Sequence, residues 1–266
     1  MRCDATRLAF FSPTGTTRRI VDNIGLGLGF AVAERLDLTR PECLAAAHAS
    51  RETVTVLGAP VYAGRLPAEA VRRLKRLHGA GGPAVLVVAY GNRAYEDALL
   101  ELCDLARELG FTPVAGGAFV GEHSYSAPET PIAPGRPDAR DVRAAREFGR
   151  VVAAKLERLA DLETAAPLRV PGSLPYREAG LSAGPGPITV AALCQACGQC
   201  VTACPVAAVR LEADGPVTEA ARCIRCCACV KGCPEGARLF DHPGLLAVAK
   251  RLAATCRERR EPETFL

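Results

Sequence analysis

The feature that most restricts this chain is a doubled cysteine run. Cys194-x2-Cys197-x2-Cys200-x3-Cys204-Pro205 is followed by Cys223-x2-Cys226-x2-Cys229-x3-Cys233-Pro234, and the surrounding segments Leu193–Val209 and Arg222–Arg238 align as an internal repeat. Eight of the thirteen cysteines belong to it. A secreted disulfide framework does not suit 266 residues with their thiols so concentrated, because disulfide scaffolds are short chains. Zinc takes four ligands, usually as two spaced pairs, and two complete runs with both prolines fit that poorly. A cubane iron–sulfur cluster needs four soft thiolates, and a tight loop with a ligand at every third residue wraps three of its corners. The proline after each run fixes φ and removes an N–H, setting the turn away from the cluster. The small residues Ala196, Gly198, Ala228 and Gly232 let backbone amides approach the inorganic sulfurs, one lever on reduction potential.

The run resembles the ligand run of the bacterial ferredoxins. That resemblance implies two [4Fe–4S] clusters with crossed ligation. Cys194, Cys197, Cys200 and Cys233 would hold one, and Cys223, Cys226, Cys229 and Cys204 the other. Residues 188–241 balance five basic against five acidic side chains. The small ferredoxins that the run resembles are strongly acidic, so their docking partners do not carry over. Cys227 reads as a small side chain in a tight loop, and Cys3, Cys43, Cys103 and Cys256 as core or incidental thiols.

Residues 1–160 alternate strand with helix. Apolar runs at Arg7–Phe11, Ala31–Leu38, Thr53–Leu57, Ala84–Tyr90 and Val114–Val120 are short and bounded by turn residues. Helical periodicity covers Thr16–Leu28, Ala68–His78, Ala94–Leu109 and Asp138–Leu159. The alternation predicts an α/β fold, a doubly wound five-stranded parallel sheet with helices on both faces. Ligands of such sheets bind beyond the carboxyl ends of the strands. Three loops there have suitable chemistry. Ser12-Pro13-Thr14-Gly15-Thr16-Thr17 puts hydroxyls and backbone N–H groups at a helix start, an anion site without a lysine that suits one terminal monophosphate. Gly58–Pro67 and Tyr90–Asp97 each supply glycine and an aromatic ring, Tyr62 and Tyr95, in a chain with only 5% aromatic residues. Aromatic faces stack on planar rings, and open backbone hydrogen-bonds a flavin edge.

Residues 1–160 resemble a flavodoxin-like domain through the SPTGTT loop. Together with GAPVYAGRLP, YGNRAYEDAL, GAFVGEHSYS and the cysteine run, nearly the whole chain resembles the EFR1 family of flavodoxin–ferredoxin fusion proteins. The resemblance implies FMN beside two [4Fe–4S] clusters and an electron-transfer role. By position, Ser12, Thr14, Gly15, Thr16 and Thr17 would bind the phosphate. Pro60, Val61, Tyr62, Ala63 and Gly64 would cradle the ring with Gly91, Asn92, Arg93 and Tyr95, and Tyr62 and Tyr95 are the stacking candidates. The fold expected is a flavodoxin-like domain (1–160), a Pro/Gly linker (161–187), a small α+β two-cluster ferredoxin domain (188–241) and a C-terminal helix with a frayed tail (242–266).

Other features carry less. Gly25-x-Gly27-x-Gly29 closes a helix and reads as a C-cap and turn. His123 reads as a hydrogen-bonding loop residue past the fifth strand. Arg72, Arg73, Lys75 and Arg76 form a basic helix face expected to be solvated. A net charge of +4 with both signs interspersed does not point to nucleic acid. No apolar stretch approaches the ~20 residues that span a bilayer, and the absence of a leader pattern suggests a cytoplasmic protein with redox-protein partners. No general acid, base or nucleophile is singled out. A flavin-dependent reductase acting on a small substrate or NAD(P)H, and a relay subunit or reactivating partner of a larger redox enzyme, stay open beside an electron carrier.

Overall fold

The computed structural model describes residues 3–40, 50–178 and 184–266. The expected strands and helices form in order: β1 (Ala5–Phe10), α1 (Thr16–Leu28), β2 (Ala31–Asp37), β3 (Thr53–Pro60), α2 (Ala68–Leu74), β4 (Pro83–Tyr90), α3 (Ala98–Glu108), β5 (Thr112–Val120) and α4 (Ala139–Arg158). The strands are parallel in the spatial order 2-1-3-4-5. That is the flavodoxin-like order, with its switch point between β1 and β3, where ligands sit at the strand ends. β4 is buried along its whole length, as a central strand covered on both faces should be. One core lies under α2 and α3, the other under α1 and α4. Gly27 and Gly149 let α1 and α4 approach closely: a Cβ on Gly27 would lie 2.1 Å from the carbonyl oxygen of Arg146. Of the glycines at 25, 27 and 29, only Gly29 caps the helix, in the left-handed region at φ 77°.

Two expectations are corrected and one is completed. The sheet has six strands, because β10 (Glu263–Phe265) pairs antiparallel with β5. The expected frayed tail is therefore an edge strand. Its sequence, Glu-Thr-Phe, is too short and polar to show a period, and its backbone pairing covers the exposed edge. The second concerns the Pro/Gly linker, whose packing the sequence leaves open: residues 161–178 run as a strap on the sheet domain. Leu162 and Leu168 are buried, Tyr176 donates to Asp104 Oδ2 at 2.6 Å, and Asp97 accepts from the N–H groups of Ser173 and Arg177. Gly180 of that segment, like Cys43, lies outside the described residues. The third is Arg73, which is 1% exposed rather than solvated. Its Nη1 donates to Leu38 O at 2.8 Å and its Nη2 to Pro205 O, with Glu69 as counter-ion.

The cysteine region has short elements only: β6 (Ile188–Thr189), α5 (Gln199–Thr202), the hairpin β7 (Val209–Glu212) and β8 (Gly215–Thr218), α6 (Ala228–Lys231) and β9 (Arg238–Leu239). It packs on the sheet domain. Lys231 Nζ donates to Glu122 Oε1 at 2.6 Å and Ser126 O at 2.7 Å, and Phe240 meets Tyr125 edge-on with ring centres 5.9 Å apart. The helix α7 (Pro243–Thr255) then returns the chain to the sheet. Asn92 fastens that return: its Nδ2 donates to the carbonyls of Cys256 and Glu258, and its Oδ1 accepts from Arg260 N. Among the described residues no helix is long and apolar enough to cross a membrane.

Candidate functional site

The switch point opens into a cavity of about 460 Å³, within the range of small-molecule and cofactor sites. Ser12, Thr14, Thr16 and Thr17 line one part of it, and Pro60–Ala63, Gly91, Arg93 and His123 another. The first loop is built to receive an anion. Gly15 starts α1 in the left-handed region at φ 79°, and Ser12 Oγ accepts from Arg18 N at 3.0 Å. Among the described residues the N–H groups of Thr16 and Thr17, the first in the helix, have no acceptor. They carry the positive end of the helix dipole. Gly121 closes this end: a Cβ there would come within 2.1 Å of Thr16 Cγ2. Gly121→Ala would force the Thr16 side chain to rotate; if the ligand is FMN, as the sequence leads one to expect, its affinity should fall about tenfold, roughly 1.4 kcal/mol, with the melting temperature little changed. Flavin fluorescence titration would check it.

The ring-side loops are only partly as expected. Tyr62 lines the cavity half-buried, and burial pushes its phenol well above the usual range, with the thiols of Cys226 and Cys227 adding to the rise. Ala63 and Gly64 turn the loop at positive φ. Gly64 itself lies against Glu96 instead of the cavity. Tyr95 is not a stacking residue. It is buried in the core against Tyr90, ring centres 5.4 Å apart, and its hydroxyl donates to Glu263 Oε2 at 2.8 Å. Asn92 is likewise turned away, toward the C-terminal segment. Both residues serve the closure by β10, which the sequence does not announce. His123 lines the cavity, and its Nδ1 accepts from Tyr125 N at 3.0 Å. Burial, then Arg93 and Lys231, lowers its pKa to about 4, so it is neutral at physiological pH.

Two walls come from outside the sheet domain. Leu245, Val248 and Leu252 of α7 give an apolar face, and Arg225 enters from the second cysteine loop. Helical periodicity reveals α7, but nothing in its sequence points to this cavity.

The cysteines gather as two interleaved sets. Cys194, Cys197, Cys200 and Cys233 surround one small cavity of about 20 Å³. Cys204 lies within electrostatic reach of Cys223, Cys226 and Cys229. Among the described residues no group of three or more His, Cys, Asp or Glu is set to hold a single metal ion. Backbone N–H groups meet the sulfurs: Ala196 N donates to Cys194 Sγ at 3.4 Å and Ala208 N to Cys204 Sγ at 3.2 Å. Burial raises the thiols of Cys200, Cys223 and Cys229, and that of Cys226 to about 12. Cys200, Cys226 and Cys229 are buried and the other ligands half-buried except the exposed Cys197; gathering four thiolates in one place requires compensating positive charge, and the donor chemistry fits an iron–sulfur cluster. Cys227 is buried, at φ 63° in the left-handed region. Cys3, Cys103 and Cys256 are also buried.

Residues 187–235 match the family of the 4Fe-4S dicluster domain. No curated protein matches the chain. Among solved structures, oxidised flavodoxin 1 from Bacillus cereus shares 18% identity, with 59% of this chain and 99% of that one covered at a TM-score of 0.41. A flavodoxin from the domain Archaea shares 14%, covering 58% and 99%, at 0.39. The rubredoxin oxygen:oxidoreductase from Desulfovibrio gigas shares 11%, covering 59% of this chain and 37% of that one, at 0.41. The fold assignment rests on strand order and connectivity.

Proposed function

We propose that this chain is an electron-transfer protein of the flavodoxin–ferredoxin fusion type, in which FMN and two [4Fe–4S] clusters exchange electrons within one unit. The observation that carries the reading is a shared wall: the cavity opened by the phosphate loop is bounded by Arg225 of the loop that bears Cys223 and Cys226. FMN, when bound, supplies the exchange between two-electron and one-electron chemistry that clusters cannot perform alone. The rest is done by this chain's residues. Thr16 and Thr17 N–H groups and the surrounding hydroxyls hold the phosphate. Tyr62 and His123 shape the ring site, and the apolar face of α7 limits water in the cavity. Lys231, Arg73 and Phe240 fix the cysteine region against the sheet domain, so transfer needs no domain excursion. Its partners are redox proteins of the cytoplasm.

Anaerobically reconstituted protein is expected to hold about eight iron atoms and one FMN per chain, read by iron and flavin analysis with a spectroscopic redox titration. Zinc in place of iron, or no flavin, would defeat the reading. NADH or NADPH that bleached the flavin at once in stopped flow would favour a reductase instead.

A further inference from the structure

The two cysteine loops are copies in sequence but have opposite surroundings. In the first copy, Gln195 and Ala196, between Cys194 and Cys197, are exposed, and so is Cys197. In the second copy the equivalent residues are Ile224 and Arg225. Ile224 packs on the core beneath α2 and α3, Arg225 lines the flavin cavity, and Cys226, the equivalent of Cys197, is buried. The field of Cys223, Cys226 and Cys227 reaches both Tyr62 and Tyr125, which line the same cavity. The broken symmetry also appears at the turn residue, where Gly198 at φ 75° is replaced by the buried Cys227 at φ 63°.

We propose that the Cys223–Cys229 loop is the flavin-side end of the relay and the Cys194–Cys200 loop its solvent-side end, with Arg225 as the positioning residue that couples FMN to the nearer cluster. This rests on the FMN and two-cluster reading above. An electron from reduced FMN reduces the nearer cluster, passes to the farther one as the nearer is reoxidised, and leaves to an external one-electron carrier. Two such passages reoxidise the anionic hydroquinone of FMN and release its one remaining proton, from N5, to solvent. Arg225 acts by charge. A half-buried guanidinium lining the flavin cavity favours the flavin state with more negative charge, and the same residue stands between the ligands Cys223 and Cys226 in the chain.

The test uses the full chain loaded with iron and FMN, with metal and flavin counted first. Arg225→Gln should lower the preference of the site for reduced over oxidised FMN about tenfold, about 30 mV for a two-electron couple. Arg225→Lys should recover most of it, as a purely structural role would not. On the unaltered protein, a water-soluble paramagnetic chelate should broaden the electron paramagnetic resonance signal of the farther cluster more than that of the nearer. Cys197→Ser and Cys226→Ser, each altering one cluster, assign the signals. An FMN potential indifferent to Arg225→Gln, or a chelate effect greater on the Cys226 cluster, overturns the proposal while the counted centres still support the relay. Preparations that never take up FMN or iron overturn the relay itself and this inference with it.

Discussion

On the two-cluster reading proposed above, Cys204→Ala is expected to remove about four of eight irons, and to take them from the site of the other sequence copy. Cys204 stands in the first run, yet it lies within electrostatic reach of Cys223, Cys226 and Cys229 in the second. The first set is completed by Cys233, which shares a cavity with Cys194, Cys197 and Cys200. A cluster that loses one of four thiolates also loses the negative charge that balances its iron, and the remaining ligands, the buried Cys226 and Cys229 and the half-buried Cys223, are thiols raised above their usual range. They resist ionisation without the metal. Cys227→Ala is the control. That side chain is as buried as the ligands, but its Sγ faces Arg225 O at 3.7 Å, and iron content should be unchanged. Iron analysis with the resonance spectra decides the matter: in Cys204→Ala the signal sensitive to Cys226→Ser should vanish and the one sensitive to Cys197→Ser persist. The reverse pattern would show that each run holds its own cluster.

What was legible in the sequence was whatever repeats locally. The sheet strands β3, β4 and β5 were the most readable because a strand covered on both faces is a continuous apolar run between turn residues. β4, from Pro83 to Tyr90, is the plainest case. The helix α1 was readable to the residue because Gly15 and Gly29 bound it in the left-handed region. Cysteine spacing is a local code as well. What escaped were contacts made by residues far apart in the chain. Tyr95 has an ideal position for a stacking ring by loop arithmetic, but its partner is Glu263, 168 positions away. Asn92 likewise answers to Cys256, Glu258 and Arg260. The strap at 161–178 carries the Pro/Gly composition of a linker, and only Leu162, Leu168 and Tyr176 distinguish it from one. Arg225 was visible in the repeat alignment as a large cation where the first copy has alanine. Its significance depends on which copy faces the sheet, and that is decided by packing alone.

Arg73 shows how such a long-range contact controls the whole molecule, and Arg73→Leu is expected to cost about 3 kcal/mol. The side chain lies under α2 with its guanidinium 5.6 Å above the ring centre of Phe11. Three acceptors surround it: Glu69 on its own helix, Leu38 O after β2, and Pro205 O beside the ligand Cys204. Leucine would fill much of the volume but leave two buried carbonyls without a donor and the largely buried carboxylate of Glu69 with Arg72 alone. Breaking a buried pair costs about 3–5 kcal/mol, and each orphaned buried acceptor about 1–3 kcal/mol. The carboxylate of Glu69 keeps Arg72 as a partner, with Arg72 Nε at 2.9 Å, which places the sum at the lower end. For a protein of this size a loss of that order lowers the melting temperature by about 6–12 °C. The effect should not stop at stability. Pro205 O is the only one of the three acceptors in the cysteine region, so the substitution loosens that region from the sheet domain while each keeps its own core. Limited proteolysis of the cysteine region should therefore accelerate before global unfolding, and, on the relay proposed above, reduction of one centre by the other should slow in loaded protein. A variant that lost stability without either change would show that Lys231 and Phe240 hold the two regions together unaided.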